Sequence, residues 1–228
     1  MPFSRLHNAL QSFMPLISTH SFNQGLLKGN LPFSVFNQFL MQDKYYLSHY
    51  AKALTNIAHR LHHQHQHDAK AFHTFANSIK KTEINMHHRY LNTHQSTRFF
   101  KPIATNINPA INAYIQHLHE STQTKPIPVA IAAMLPCFVI YRELGAIMPN
   151  NPEHRFYDWI KTYSSSGFLD NTEKMIAVFN AHDQVDLRDQ ALESFTASVQ
   201  HEIKFWDSVI EVGELRGEKH AANTLRHH

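Results

Sequence analysis

Two carboxylates and one thiol stand where the sequence pattern places buried side chains. The single cysteine, Cys137, follows Pro136 in the most apolar run of the chain, IPVAIAAMLPCFVIY from Ile127 to Tyr141. Asp43 falls on a stripe of Phe36, Phe39, Leu40, Leu47, Tyr50 and Leu54, which recur at three- and four-residue steps. Glu202 takes the slot between Val199 and Trp206 on a stripe that also holds Leu192, Phe195 and Val209. Residues at i, i+3, i+4 and i+7 share one buried helical face. A carboxylate there loses its hydration and persists only where partners satisfy it. Alone, a buried cysteine is ordinarily a small inert hydrophobe, and one inward acid is ordinarily the partner of a buried base. Three such groups on three segments point to one reactive interior, with a nucleophile and two groups able to bind or move protons.

The elements that must position them are helices. Only 6 of the 228 residues are glycine, and a 3.6-residue apolar period runs through most of the chain. No Gly/Ser/Pro-rich linker divides it, so one all-α domain over residues 1–228 is expected, with a flexible tail over the last ten or so residues. The periodicity predicts helices over Ser4–Thr19, Phe33–His62, Asp68–Asn92, Ala110–Glu120, Val129–Met148, Glu153–Ser164 and Asp186–Leu215. HSFNQGLLKGNLPF is expected to be a connector with Pro32 at the next helix's N1 position. Gly167–His182 reads as a segment leading to the last helix. Pro136 lacks an N–H and crowds the carbonyl of Ala132, which predicts a kink beside Cys137.

The formal charge of +3 is modest and no basic tract interleaves with aromatics, so no nucleic-acid partner is expected. One cysteine excludes an intramolecular disulfide and fits a reducing compartment. The 15-residue run at Ile127–Tyr141 is shorter than the ~20 residues that cross a bilayer, and no signal-peptide pattern opens the chain. The expectation is a cytoplasmic protein with no membrane partner.

With these residues in place, the chain resembles the TenA, or thiaminase II, family of the haem-oxygenase-like fold. The resemblance is carried by SFNQGLLKGNLPFSVFNQFLMQDKYYLSHYAKAL, by AAMLPCFVIYRELG, by FYDWIKTYSSSGF and by HEIKFWD. It implies a haem-oxygenase-like helical bundle and a cofactor-independent aminopyrimidine aminohydrolase of thiamine salvage. It also implies a small-molecule aminopyrimidine or thiamine as substrate, hydroxymethylpyrimidine as product, and a homotetramer. By the same resemblance Cys137 is the nucleophile, Glu202 the proton shuttle and Asp43 the anchor of the pyrimidine. Tyr46, Tyr114, Tyr141 and Tyr163 line the substrate site, with Phe205 as an aromatic wall. The sequence departs from the family where Ser21 follows His20, where Phe138 and Val139 follow Cys137, and at Arg142. A flat ring edged with donors and acceptors suits this inventory, because aromatic faces stack on it and carboxylates and phenols read its edge.

Twenty histidines invite a metal-dependent alternative. His59 with His63, His63 with His67, and Glu83 with His87 have the i, i+4 spacing of a helical metal clamp, with His87, His88 and His94 following. A haem-oxygenase-like metal-dependent oxidase, or a pyrimidine-binding protein without catalysis, is therefore the competing reading. HHQHQH lies between two helical patterns with no completing ligand set, so no resident metal is expected and adventitious nickel or zinc binding is.

Overall fold

The computed structural model describes residues 2–79, 81 and 107–224, with side chains through Glu211. Nine α-helices are described: α1 Pro2–Thr19, α2 Ser21–Leu27, α3 Phe33–Leu61, α4 Gln66–Ser78, α5 Pro109–Thr124, α6 Ile127–Ile147, α7 Tyr157–Tyr163, α8 Ser166–Ala181 and α9 Arg188–Thr224. A 3-10 turn at Val185–Leu187 precedes α9. Among the described residues there is no strand, as an all-α bundle requires.

Local chemistry sets several helix starts. The Asn108 side chain accepts from Ala110 N–H at 2.9 Å, with Pro109 opening α5 at the position where a missing N–H costs nothing. Ser165 caps α8 through Phe168 N–H. Four starts correct the sequence expectation. The connector before Pro32 contains α2, because the His20 ring accepts from Phe22 N–H at 3.2 Å and supplies the cap that Ser, Thr, Asp or Asn usually give. Pro32 itself is the residue before α3, one position earlier than expected. Gly29, at φ +69°, ends the α2 turn in the left-handed region open to glycine. The segment 167–182 is helix α8, with Thr172, Met175, Ile176, Val178 and Phe179 buried. The helix expected from Glu153 begins only at Tyr157, after a turn in which Asn151 accepts from Glu153 N–H. The last helix runs past Gly217 to Thr224. The Asn92 end of the third expected helix and most of the irregular stretch 97–108 lie outside the described residues. So do the side chains of the expected tail.

α6 is the central element. It packs most extensively against α9 and also touches α3, α5, α7 and α8. It is long and apolar enough to cross a membrane, yet 78% of that window is buried inside the fold, as suits a core helix. α6 continues through Pro136 without interruption. The proline removes the donor for Ala132 and loosens the turn around it. The carbonyls of Ala133 and Met134 accept from the Ser198 hydroxyl at 2.8 Å and the Tyr50 hydroxyl at 2.5 Å. α9 and α3 are thus bonded to the turn that carries Cys137.

Candidate active site

The site is built where α3, α5, α6, α7 and α9 meet. α3 brings Asp43 and Tyr46, three residues apart and both buried; α5 brings buried Tyr114. α6 brings half-buried Cys137 and, one turn later, buried Tyr141. α7 ends at Tyr163, and α9 contributes Glu202 and Phe205. The Tyr141 hydroxyl donates to Glu202 Oε1 at 2.6 Å, and the Trp206 indole N–H reaches the same hydroxyl at 3.4 Å. The Tyr141 and Tyr163 rings stack at 4.7 Å. Tyr46 lies 4.8 Å from Tyr114 and 6.1 Å from Phe205, ring centre to ring centre.

Electrostatics links the remaining groups. Burial, then the carboxylate of Glu202 and a charge on Cys137, drives the Tyr114 phenol well above its ordinary value. Tyr46 is raised in the same sense by burial, Tyr114, Cys137 and Glu202. Tyr141 is raised by burial, Glu202 and Asp43. All three phenols therefore remain protonated donors. Ring contacts, the Tyr141–Glu202 hydrogen bond and electrostatic coupling of Asp43, Cys137 and Glu202 to the tyrosines link the eight residues picked out in the sequence into one connected network.

Glu202 is the most perturbed acid of the group. Only 1% of it is exposed, and desolvation pushes its pKa up to about 8. The Tyr141 hydrogen bond opposes that rise, Asp43 adds to it, and Tyr114 lowers it slightly. Among the described residues no Lys or Arg pairs with Glu202, so the structural ion-pair role of an inward acid does not apply. Near neutral pH this carboxyl is mostly protonated and readily exchanges its proton. Its second oxygen, Oε2, and the hydroxyls of Tyr46 and Tyr114 are buried and make no hydrogen bond of ordinary geometry among the described residues. Tyr114 lies close enough to Glu202 and Tyr46 to alter their proton affinity without a bond of ordinary geometry. Three adjacent unsatisfied polar atoms are unusual in a protein interior, and a polar ring edge placed among them would supply what they lack.

Gly145 fixes one wall. A Cβ at this position would sit 3.0 Å from the Tyr163 carbonyl oxygen and 3.1 Å from its carbon. Glycine here lets the end of α7 rest backbone-to-backbone on α6, which sets the Tyr163 ring against Tyr141. Arg142 points elsewhere and pairs with Glu173 and Glu143. His20 serves the fold, capping α2 and reaching Asp207 at 3.1 Å.

Several enclosing side chains had no role in the sequence reading. Trp159 lies edge-on to Tyr163 at 4.7 Å and to Tyr141 at 5.9 Å; its signal was the WIKTY string that also holds Tyr163. Gln42, next to Asp43 in the chain and fully buried, accepts from Asn108 N–H at 3.1 Å, while its amide nitrogen has no hydrogen-bond partner among the described residues. His201 stacks on Tyr114 at 5.3 Å, and burial, then His117 and Lys204, lowers its pKa to about 4. It is a neutral ring beside Glu202, and its only sequence signal was adjacency. A cavity of about 290 Å³ between Ser21, Lys28, Val35 and Ile210 lies away from this cluster.

The model of the TENA/THI-4/PQQC family matches residues 7–212. This chain belongs to that family. Among curated relatives, the thiamine biosynthesis multifunctional protein ThiED of Corynebacterium efficiens is 32% identical over 222 residues, covering 93% of this chain and 29% of its own length. The aminopyrimidine aminohydrolase of Bacillus subtilis is 28% identical over 196 residues, covering 82% of this chain and 80% of its own. The chain thus spans under a third of the first relative and most of the second. Among solved structures, a TenA homologue from P. horikoshii OT3 superposes with a TM-score of 0.80 at 21% identity, covering 92% of this chain and 98% of that one. A putative TenA-like thiaminase from Sulfolobus solfataricus P2 gives 0.71 at 19% identity over 92% and 95%. The fold is the all-helical, haem-oxygenase-like bundle of TenA proteins.

Proposed function

We propose that this chain hydrolyses the bond between the methylene carbon of an aminopyrimidine and its amine or thiazolium leaving group, releasing hydroxymethylpyrimidine for thiamine salvage. The observation that carries this reading is the buried polar edge formed by Glu202 Oε2 and the Tyr46 and Tyr114 hydroxyls, next to Asp43 and within reach of Cys137. Relatives named aminopyrimidine aminohydrolase support the reaction class.

In this mechanism Asp43 hydrogen-bonds the amino group and ring nitrogen of the pyrimidine, between the aromatic walls of Tyr163 and Phe205. The Cys137 thiolate adds to an electron-poor ring carbon, and the electron pair gained by the ring expels the leaving group from the methylene. An amine departs with the proton of Glu202; a thiazolium departs as neutral thiazole without it, from the form in which Glu202 is already ionised, and the proton that Glu202 then takes from water passes to solvent. Water then adds to the exposed methylene, Glu202 takes the water's proton, and the thiolate leaves the ring with its electron pair. A carboxyl held at about 8 is suited to both transfers. The tyrosines, locked in their protonated form, orient the ring and keep Glu202 in register through Tyr141.

The test is product formation by purified protein given aminomethylpyrimidine or thiamine. Release of hydroxymethylpyrimidine from at least one, abolished in Cys137→Ser, is the expected result. Binding of the product pyrimidine with no turnover of either substrate would sink the hydrolase in favour of a binding protein. Stoichiometric iron or a haem absorption band would point to oxidase chemistry. Sedimentation would test the homotetramer that the family implies.

A further inference from the structure

The histidine-rich segment forms no clamp of the kind its spacing predicts. α3 ends at Leu61 and the chain turns through 62–65 before α4 starts. His59 and His63, and His63 and His67, are therefore not on one continuous helix, and the i, i+4 rule fails for both pairs. Glu83, His87, His88 and His94 lie outside the described residues. The turn does something different. It carries His65 and, at the third residue of α4, Asp68, to the far end of α8, where His182 waits.

We propose that His65, Asp68 and His182 bind a divalent transition metal of the zinc class, stapling the start of α4 to the end of α8. One ligand atom from each lies within 4.8 Å of the others. His182 Nε2 is 2.9 Å from Asp68 Oδ2, although the two residues are 114 apart in sequence. The His65 and His182 rings meet edge to face at 4.6 Å and 76°. Ligands about 2.1 Å from a tetrahedral zinc stand about 3.4 Å from each other, so the two firmly placed atoms need to part slightly. The exposed His65 ring needs to swing inward by about an ångström.

Two imidazoles and a carboxylate are the ligand types of zinc and its neighbours, not of magnesium or calcium. The ligands also rest on fixed backbone. His65 is the residue preceding α4, and its carbonyl accepts from Ala69 N–H at 2.9 Å. His182 closes α8, its N–H bonded to the carbonyls of Val178 and Phe179. His67 Nδ1 lies 3.2 Å from Asp68 Oδ1 and steadies the carboxylate from its other side, as an outer partner of a metal ligand does. On binding, His182 Nε2 gives its electron pair to the cation, and any proton it carries moves to Nδ1 or to solvent. The cation takes the place of the direct His182–Asp68 contact and keeps both partners.

Zinc chloride titrated into full-length protein against a chromophoric chelator tests this. The expected result is one site per chain, weakened at least tenfold in His182→Gln and in Asp68→Asn, and unchanged in the paired control His59→Gln/His63→Gln. Zinc should also raise the melting temperature of the wild type and not of His182→Gln. X-ray absorption of the wild-type zinc complex reads the ligand set without any substitution: two imidazole nitrogens and a carboxylate oxygen are expected. No stoichiometric binding overturns the proposal. So does binding that survives in His182→Gln, or an imidazole-only ligand set; both assign the metal to the other histidines.

Discussion

Glu202 and Asp68 carry the same functional group and are driven in opposite directions. At Glu202, deep between α6 and α9, desolvation prevails and the acid holds its proton to about pH 8. At Asp68, on the outer seam of α4 and α8, burial also pushes upward, but the hydrogen bonds from His182 and His67 outweigh it and the carboxyl falls below its usual range. The interior acid faces a phenol and another acid; the peripheral one faces two imidazoles. What a carboxylate can do is thus decided by its neighbours' charge once burial has raised the stakes. The interior acid becomes a proton carrier, and the outer one a fixed anion.

The largest expected effect breaks the interior side of this contrast. Cys137→Ser should leave folding intact and drop turnover to background, read by product formation per folded molecule. Glu202→Gln comes next: turnover falls ~100-fold or more, while the melting temperature near neutral pH holds or rises. The sign follows from linkage. Between about 4.5 and 8 the folded state keeps a proton that the unfolded state has lost, so the wild type loses stability as pH rises through that window. The loss amounts to a few kcal/mol at most, roughly 1.4 per unit of pKa. Glu202→Gln should flatten that slope in pH-dependent denaturation, and an unchanged slope would contradict the buried neutral acid.

Gly145→Ala should cost about 1–3 kcal/mol and weaken substrate binding, because the new methyl displaces the Tyr163 backbone rather than a pliable side chain. Tyr141→Phe removes the larger of the influences that oppose the rise at Glu202, so the alkaline limb of the pH–rate profile should move to higher pH. The smallest effect belongs to the outer acid. Asp68→Asn should cost about 1 kcal/mol or less in the absence of metal. That cost should be present at neutral pH and vanish as pH falls through the depressed pKa of Asp68.

The interior was the legible region. Asp43 and Glu202 announced themselves because helical periodicity is local, and each acid interrupts a stripe that is buried in the fold. Cys137 stood out as the lone thiol of the most apolar run, whereas the tyrosines were named only through the family resemblance. The outer cluster was not legible, since His182 closes α8, 114 residues from Asp68, and no local period pairs the two. α2 was missed because its cap is a histidine, outside the usual set. Gln42 and His201 were silent for another reason. Each adjoins a named acid in the chain, and only packing shows that Gln42 is fully buried and that His201 stacks on Tyr114.

The apolar girth of α6 has a consequence for how the chain is made. This helix leaves the ribosome well before α9, the element that covers it most. Until α9 arrives, a stretch greasy enough to pass for a membrane span is without its main cover. Nascent chains halted ahead of residue 188 should therefore engage holdase chaperones or aggregate, and completion of the last helix should release them.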